Sequence, residues 1–324
     1  MTDTKKHQLN EEKFRSDDVD LSKVHSDFYE LFALNHKKNM LCYVFEDPKK
    51  YEDVISNPNY YLFKEEAELI SQNKVLLGQY LQNIETLIEL GPGSKNSLIY
   101  KTLPLLKCAS ALSEYIALDI SENYLEKISE FIEQNTNLQV SLIQSNFLES
   151  IPPLPNNGKN KAIVLLGGTL GGFDEDDRIK CLQNISSFAE SGDVFIISAD
   201  TNLDKESLLR AYSTEASKNI VMEVFEYYAS VNLDFKPYKN CFDMKTEWEE
   251  SSRTISHELS SLQDFSFKIK SHEDIQVSKG QEFQIVRVHK FCEEEFTKLL
   301  NSMKLRVMSI AGTGNIKLFI TMKY

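Results

Sequence analysis

Ile84-Glu85-Thr86-Leu87-Ile88-Glu89-Leu90-Gly91-Pro92-Gly93-Ser94 is the stretch that decides how the rest of the chain reads. Ile84 to Leu90 is a short apolar run with β-branched residues, which predicts a strand. Gly91-Pro92-Gly93 breaks it, and the pattern from Ser97 to Ser113 predicts a helix. Strand, glycine turn and helix open many nucleotide-binding α/β units. Glycine lets the backbone turn sharply and lets a ligand come close to it. The dinucleotide fingerprint needs a third glycine, and here that position is Asn96. A bare G-x-G fits a ligand turn or a plain strand-to-helix connection.

Outward from this stretch the rhythm is strand, helix, strand. Tyr115 to Leu118 predicts a strand ending at Asp119, and Asn123 to Gln134 a helix. Leu138 to Ile143 predicts a strand closed by Ser145-Asn146-Phe147. Ala162 to Leu166 is apolar throughout, as in a strand buried on both faces. Asp176 to Ala189 predicts a helix, and Asp193 to Ala199 a strand ending at Asp200. This alternation implies a doubly wound parallel sheet with ligands at the carboxyl ends of its strands. Those ends carry Gly91-Pro92-Gly93, Asp119, Asn146-Phe147, Gly167 to Phe173 and Asp200. Asp119 fits a ribose ligand or a helix cap. Asn146-Phe147 fits an adenine contact or a turn with one core Phe.

After Asp200 the pattern changes. Helix is predicted from Lys205 to Tyr212 and on through Tyr228. Thr254–Leu259, Phe265–Lys270 and Phe283–Val288 alternate or run apolar, predicting antiparallel strands of a second, smaller α+β unit. Glu293 to Met303 then predicts a helix, and Leu305–Ile310 with Ile316–Lys323 a terminal hairpin. Before Ile84, helices are predicted at Leu21–Asn35, around Tyr51–Ile55, and from Lys64 to Leu81. The pair Tyr60-Tyr61 beside Pro58 fits core packing or a pocket wall.

The 324 residues allow one large domain or two moderate ones, and 41% hydrophobic with 26% charged residues is a globular composition. No run approaches the roughly 18–20 apolar residues of a membrane span. Met1 to Asp20 is polar and reads as a flexible leader, neither signal peptide nor anchor. Cys42, Cys108, Cys181, Cys241 and Cys292 are far apart, with no metal spacing, and read as reduced thiols of a cytoplasmic protein. A net charge of −13 argues against nucleic acid and fits a cationic small ligand.

Assembled, these residues resemble the histidine-specific SAM-dependent methyltransferase family, which includes histidine Nα-methyltransferases and dimethylallyltryptophan N-methyltransferases (SAM is S-adenosyl-L-methionine). The resemblance covers roughly residues 50 to 324. It is carried by Pro58-Asn59-Tyr60-Tyr61, Glu89 to Ser94, Tyr115 to Ser121, and Leu166-Gly167-Gly168-Thr169-Leu170-Gly171-Gly172-Phe173. Leu209-Arg210-Ala211-Tyr212 and His289-Lys290-Phe291 add to it. The resemblance implies a class I methyltransferase, a Rossmann-like doubly wound sheet, built from about 83–201 and 288–324. Residues 21–82 with 202–287 would form the substrate domain. SAM would lie over Gly91, Pro92, Gly93 and Ser94, with Asp119 on its ribose, Asn146 and Phe147 at its adenine, and Gly167, Gly168 and Thr169 beside it. Tyr60 or Tyr61, with Tyr212, would hold an amino acid's head group. No metal is implied.

Two positions depart from the family. Its loop ends Gly-Asn-Phe, with the Asn gripping the head group, whereas here Gly172 stands in that place. In Ile255-Ser256-His257-Glu258 the family's acid after the Ile is Ser256. Residues two apart share a strand face, so Glu258 is expected to point into the pocket in its place, and His257 away. Histidine is therefore expected to be a poor substrate, and another amino acid or small amine the acceptor. A SAM-binding protein without transfer, or a protein methyltransferase, are the rival readings. The oligomeric state is not legible.

Overall fold

The computed structural model describes residues 21–43, 48–149, 151–152, 160–236, 240–269 and 272–324. The expected leader, residues 1–20, lies outside them, as does Lys270. The chain opens with α1 (Leu21–Phe32), α2 (Pro48–Ile55), α3 (Tyr61–Gln72) and α4 (Lys74–Leu81). A single helix was expected over the last two. Asn73 breaks it, because its side-chain amide donates to the Leu69 carbonyl at 2.8 Å.

Next come β1 (Thr86–Leu90), α5 (Lys95–Ser97), a π-helical turn (Leu98–Thr102) and α6 (Leu103–Leu106). The helix expected through Ser113 thus ends seven residues early. The wider π turn aims Lys101 and Thr102 inward, toward buried Glu66 and Glu89. The alternation continues with β2 (Glu114–Asp119), α7 (Glu122–Asn135), β3 (Gln139–Gln144), β4 (Lys161–Leu165), α8 (Glu175–Phe188) and β5 (Val194–Asp200). Then follow α9 (Lys205–Tyr212), α10 (Glu215–Val221), α11 (Glu223–Val231), β6 (Phe242–Glu249), β7 (Thr254–Ser261), β8 (Phe265–Phe267), β9 (Ile275–Val277) and β10 (Glu282–His289). The chain closes with α12 (Glu293–Ser302), β11 (Leu305–Ala311) and β12 (Ile316–Lys323). β6 and β9 were not expected: the first mixes charges with its apolar residues, and the second is three residues long.

The large sheet has the order β11-β12-β5-β4-β1-β2-β3. β1 to β5 are parallel, and β12 inserts antiparallel between β5 and β11. This is the class I methyltransferase arrangement that the family resemblance implies. β1, β4 and β5 are buried along their whole length, so they read as continuous apolar runs. Alternate residues feed two cores. Leu87, Tyr115, Ala117 and Val164 face α3, α4 and α7, while Ile88, Ile116, Ile163 and Phe195 face α8 and α12. Helices α3 and α4, expected in the substrate unit, therefore pack on the large sheet.

β10-β7-β6 form a separate antiparallel sheet, with β8 and β9 as a hairpin. Their core is aromatic and takes in α1 and α11. Phe28 stacks on Tyr228 at 3.6 Å between centroids, and Phe32 packs among Phe225, Phe267 and Phe283.

Candidate functional site

Register places the site. Leu90 of β1 pairs with both Leu118 of β2 and Leu165 of β4, so the turns after all three strands begin at one level. Gly91 and Gly93 have φ of 65° and 75°, where a Cβ is strained. A Cβ on Gly91 would meet the Phe147 ring at 4.0 Å, and one on Gly93 the Tyr51 ring at 3.9 Å. Pro92 is buried between them, and the Ser94 hydroxyl caps the following turn by accepting from the Ser97 N–H. Asp119 ends β2 with Oδ1 accepting from the Ser121 N–H at 2.9 Å. Burial pushes its pKa up to about 6, against the lowering effect of those backbone donors. Asn146 spends its side-chain oxygen on the Leu148 N–H, while the Asn184 amide holds the Phe147 and Leu148 carbonyls. Gly167 and Gly168 are left-handed at φ 79° and 66°, and Thr169 donates to the Leu166 carbonyl at 2.8 Å. All the residues expected at a cofactor thus line one edge of the sheet.

The surroundings of Asn96 say which cofactor fits. Glu52 of α2 accepts from both the backbone N–H and the side-chain amide of Asn96. A carboxylate therefore occupies the helix start where a dinucleotide places its diphosphate. Phosphate would be repelled there. SAM carries no phosphate. The Cβ-free cradle at Gly91 and Gly93, the Asp119 carboxylate for a ribose diol and the Phe147 ring for an adenine suit SAM. Among the described residues no cluster of metal-binding side chains occurs, and no helix is long and apolar enough to cross a membrane.

A buried polar group stands beside this cradle. Lys290 donates to Asp200 Oδ2 at 2.6 Å and to the Tyr212 hydroxyl at 2.8 Å. The Tyr61 hydroxyl donates to the same Asp200 oxygen at 2.6 Å. The Tyr60 and Tyr212 rings meet edge to face at 5.8 Å. Burial and the Asp200 charge hold the tyrosine hydroxyls neutral, far above the usual phenol range. Burial also lowers the Lys290 pKa, against the pull of Asp200. Of the expected pair, Tyr61 is thus tied to Asp200, and Tyr60 is the one whose ring packs against Tyr212. An open cavity of about 370 Å³ on the outer side of Tyr60, lined by Pro58, Phe63 and Tyr100, includes none of the strand-end residues.

Gly172 stands at the end of the loop after β4. Its carbonyl accepts from the Asn39 amide at 2.6 Å, and Asn39 also holds the Arg287 carbonyl. The β7 expectation is reversed. Ile255 packs against Tyr212 together with Trp248 and Val288. The His257 ring is 6.2 Å from that of Tyr212. Ser256 and Glu258 alternate to the opposite face, where Glu258 is half-buried near Glu247, Glu282, Lys245 and Lys37. A one-residue slip in assigning a strand face inverts every side chain on it.

Several residues of the site went unread in the sequence. Lys290 left a signal only as the middle of His289-Lys290-Phe291, a stretch that adds to the family resemblance but carries no role in it. Glu66 left none. It sits in a helix of mixed charges, yet it is fully buried, accepts from the Gly167 N–H at 2.8 Å and pairs with Lys101 at 2.9 Å. Glu52 was likewise invisible, because its partner Asn96 is 44 residues away.

Comparison with known proteins fits this geometry. The family described as histidine-specific methyltransferase, SAM-dependent, matches residues 34–313. Ergothioneine biosynthesis protein 1 of Neurospora crassa is 22% identical over 166 residues, half of this chain but 19% of that protein's length. The 4-dimethylallyltryptophan N-methyltransferase of Trichophyton verrucosum is 23% identical over 264 residues, 76% of this chain and 77% of that one. A SAM-dependent methyltransferase of Clostridium acetobutylicum superposes with a TM-score of 0.43 at 14% identity, over 80% of this chain and 91% of that one. With the family match spanning most of its length and the SAM-compatible strand ends in place, the chain belongs to the histidine-specific, SAM-dependent methyltransferase family.

Proposed function

We propose that the protein transfers a methyl group to the amine of an amino acid or related small molecule other than histidine. SAM supplies, when bound, a methyl on a sulfonium sulfur, already activated for displacement. The protein's share is then alignment and desolvation of the acceptor. Tyr212 carries this reading. Its oxygen accepts from Lys290, which leaves its own O–H to donate. A substrate carboxylate is a suitable acceptor for that proton. The acceptor amine must be neutral; a free α-amine titrates near ~8, and burial lowers that further. No strong general base is needed.

The wall opposite supports an acceptor other than histidine. Ile255, His257 and Val288 are turned toward Tyr212, and these strand faces bring no carboxylate to pair with an imidazolium. The relative from Trichophyton, by its name an N-methyltransferase of a tryptophan derivative, supports an amine on a bulky, apolar body. The test is product mass and S-adenosylhomocysteine release after incubation with SAM and a panel of amino acids and amines. Methylation of at least one small amine, with histidine among the slowest, is the expected result. Efficient histidine methylation, or tight SAM binding with no methylated amine, overturns it.

A further inference from the structure

The carboxylates around the glycine cradle are matched, with one exception. Glu66 has Lys101, Asp200 has Lys290, and Glu223 and Glu226 share Lys50. Glu89 takes the hydroxyl protons of Thr102 and Tyr115. Glu52 has no such match. It is half-buried, and among the described residues no lysine, arginine or histidine pairs with it. Its partners are the two neutral N–H donors of Asn96, which use two of a carboxylate's roughly four lone-pair positions. Its place is beside the cradle. The preceding residue, Tyr51, has a ring carbon 3.9 Å from where a Gly93 Cβ would stand. Burial first, and then nearby carboxylates that include Glu52, raise the pKa of the Tyr51 and Tyr124 hydroxyls. A carboxylate partly withdrawn from water, with no counter-charge, favours a cation beside it.

We infer that Glu52 receives the α-ammonium group at the amino-acid end of SAM. This rests on the cofactor lying along the strand ends, as the fit to Gly91, Asp119 and Phe147 implies. Strand order then gives its direction. With the adenine at the end of β3 and the ribose at the end of β2, the amino-acid end runs back over the turn after β1. That turn carries Gly93, and Asn96, three residues further on, holds Glu52 beside it. The amino-acid end offers one ammonium and one carboxylate. Glu52 attracts the first and repels the second, so it fixes which way that end turns.

S-adenosylhomocysteine and its desamino analogue, in which a hydrogen replaces the α-amino group, are the probes. Both are titrated calorimetrically into the protein at about pH 7, where the amine is protonated. S-adenosylhomocysteine should bind about 10- to 100-fold more tightly than the analogue, the range of one hydrogen bond between charged groups. Glu52→Gln keeps an acceptor for Asn96 and loses only the charge. It should remove most of that preference by weakening S-adenosylhomocysteine, without weakening the analogue. Asp119→Asn, at the ribose that both probes share, should weaken both alike and leave the preference in place. A Glu52 that merely braced Asn96 would, when changed, weaken both probes equally. Equal binding of the two by the parent protein, or a preference that survives Glu52→Gln, overturns the inference. Binding of neither probe overturns the cofactor placement with it. A preference lost in Glu52→Gln, with both affinities unmoved by Asp119→Asn, upholds Glu52 and removes Asp119 from the site instead.

Discussion

If Asp119 holds the cofactor's ribose, as its place at the end of β2 suggests, this one side chain couples that site to pH. Its folded pKa, about 6, lies above its ordinary value of 3.8. The protonated form is therefore favoured in the folded state. Its contribution is fully present below pH 3.8 and lost as pH rises through 6, so near neutrality the ionised carboxylate opposes folding by roughly 3 kcal/mol. A ribose diol would recover that cost by hydrogen bonding to the charged form. Asp119→Asn should then raise the Tm of the ligand-free protein at pH 7.5 and leave it nearly unchanged at pH 4. Calorimetry should show S-adenosylhomocysteine binding weakened at least tenfold at pH 7.5, consistent with about 1.5–3 kcal/mol for a charged acceptor. In the parent protein the affinity should fall as pH drops through 6. Equal affinity in mutant and parent would remove Asp119 from the site. His257 and His289 act in the opposite sense. Burial lowers both to about 4, so they withdraw stability as pH falls from 6.5 to 4. His257→Gln should flatten the acid limb of a Tm–pH curve.

Among the elements, the pairing of α3 with the π turn after the glycine cradle is the most demanding. Glu66 on α3 and Lys101 in the turn form an ion pair removed from water, and the same carboxylate orients the Gly167 N–H. Removing one partner strands a buried charge, which costs about 3–5 kcal/mol. Glu66→Ala should lower stability in urea unfolding by that amount and loosen the Gly167 loop. Glu66→Gln with Lys101→Met removes both charges and keeps an acceptor for Gly167, and should recover most of the loss. A double variant as unstable as the single one would argue against this account. Gly91 makes a similar point in the turn itself. At φ 65°, Gly91→Ala should cost about 1–2 kcal/mol from the left-handed strain, and it should weaken S-adenosylhomocysteine binding at the same time.

Across the whole molecule, α2 ties the two packed units together. Lys50 pairs with Glu226 at 2.5 Å and Glu223 at 3.6 Å, on α11 of the aromatic core. The next two residues reach the cofactor cradle, Tyr51 against Gly93 and Glu52 on Asn96. Lys50→Ala should therefore increase koff for S-adenosylhomocysteine several-fold in stopped-flow displacement, with a much smaller change in overall Tm. High salt should reproduce part of that increase in the parent and little in the variant. Unchanged release kinetics would show that α2 does not hold the cofactor edge.

The parallel sheet and the sequence of turns at the ends of its strands followed from periodicity and from Gly91, Asp119 and Gly167–Gly168, and the antiparallel last strand from the terminal hairpin together with the family resemblance. Those signals are local: hydrophobic alternation spans a few residues, and a left-handed turn demands glycine in place. Tertiary structure decided the rest, where the chemistry depends on residues far apart in the chain. Lys290 meets Asp200 across 90 positions, Glu52 meets Asn96 across 44, and Glu66 meets Gly167 across 101. No periodicity records such meetings, because partners so far apart in the chain come together only once it has folded. The face of β7 belongs with them. Ile255-Ser256-His257-Glu258 is buried at three positions in a row and half-buried at the fourth, so alternation of polarity could not say which side meets Tyr212. Packing against α9 turned Ile255 and His257 inward and left Ser256 and Glu258 on the other side.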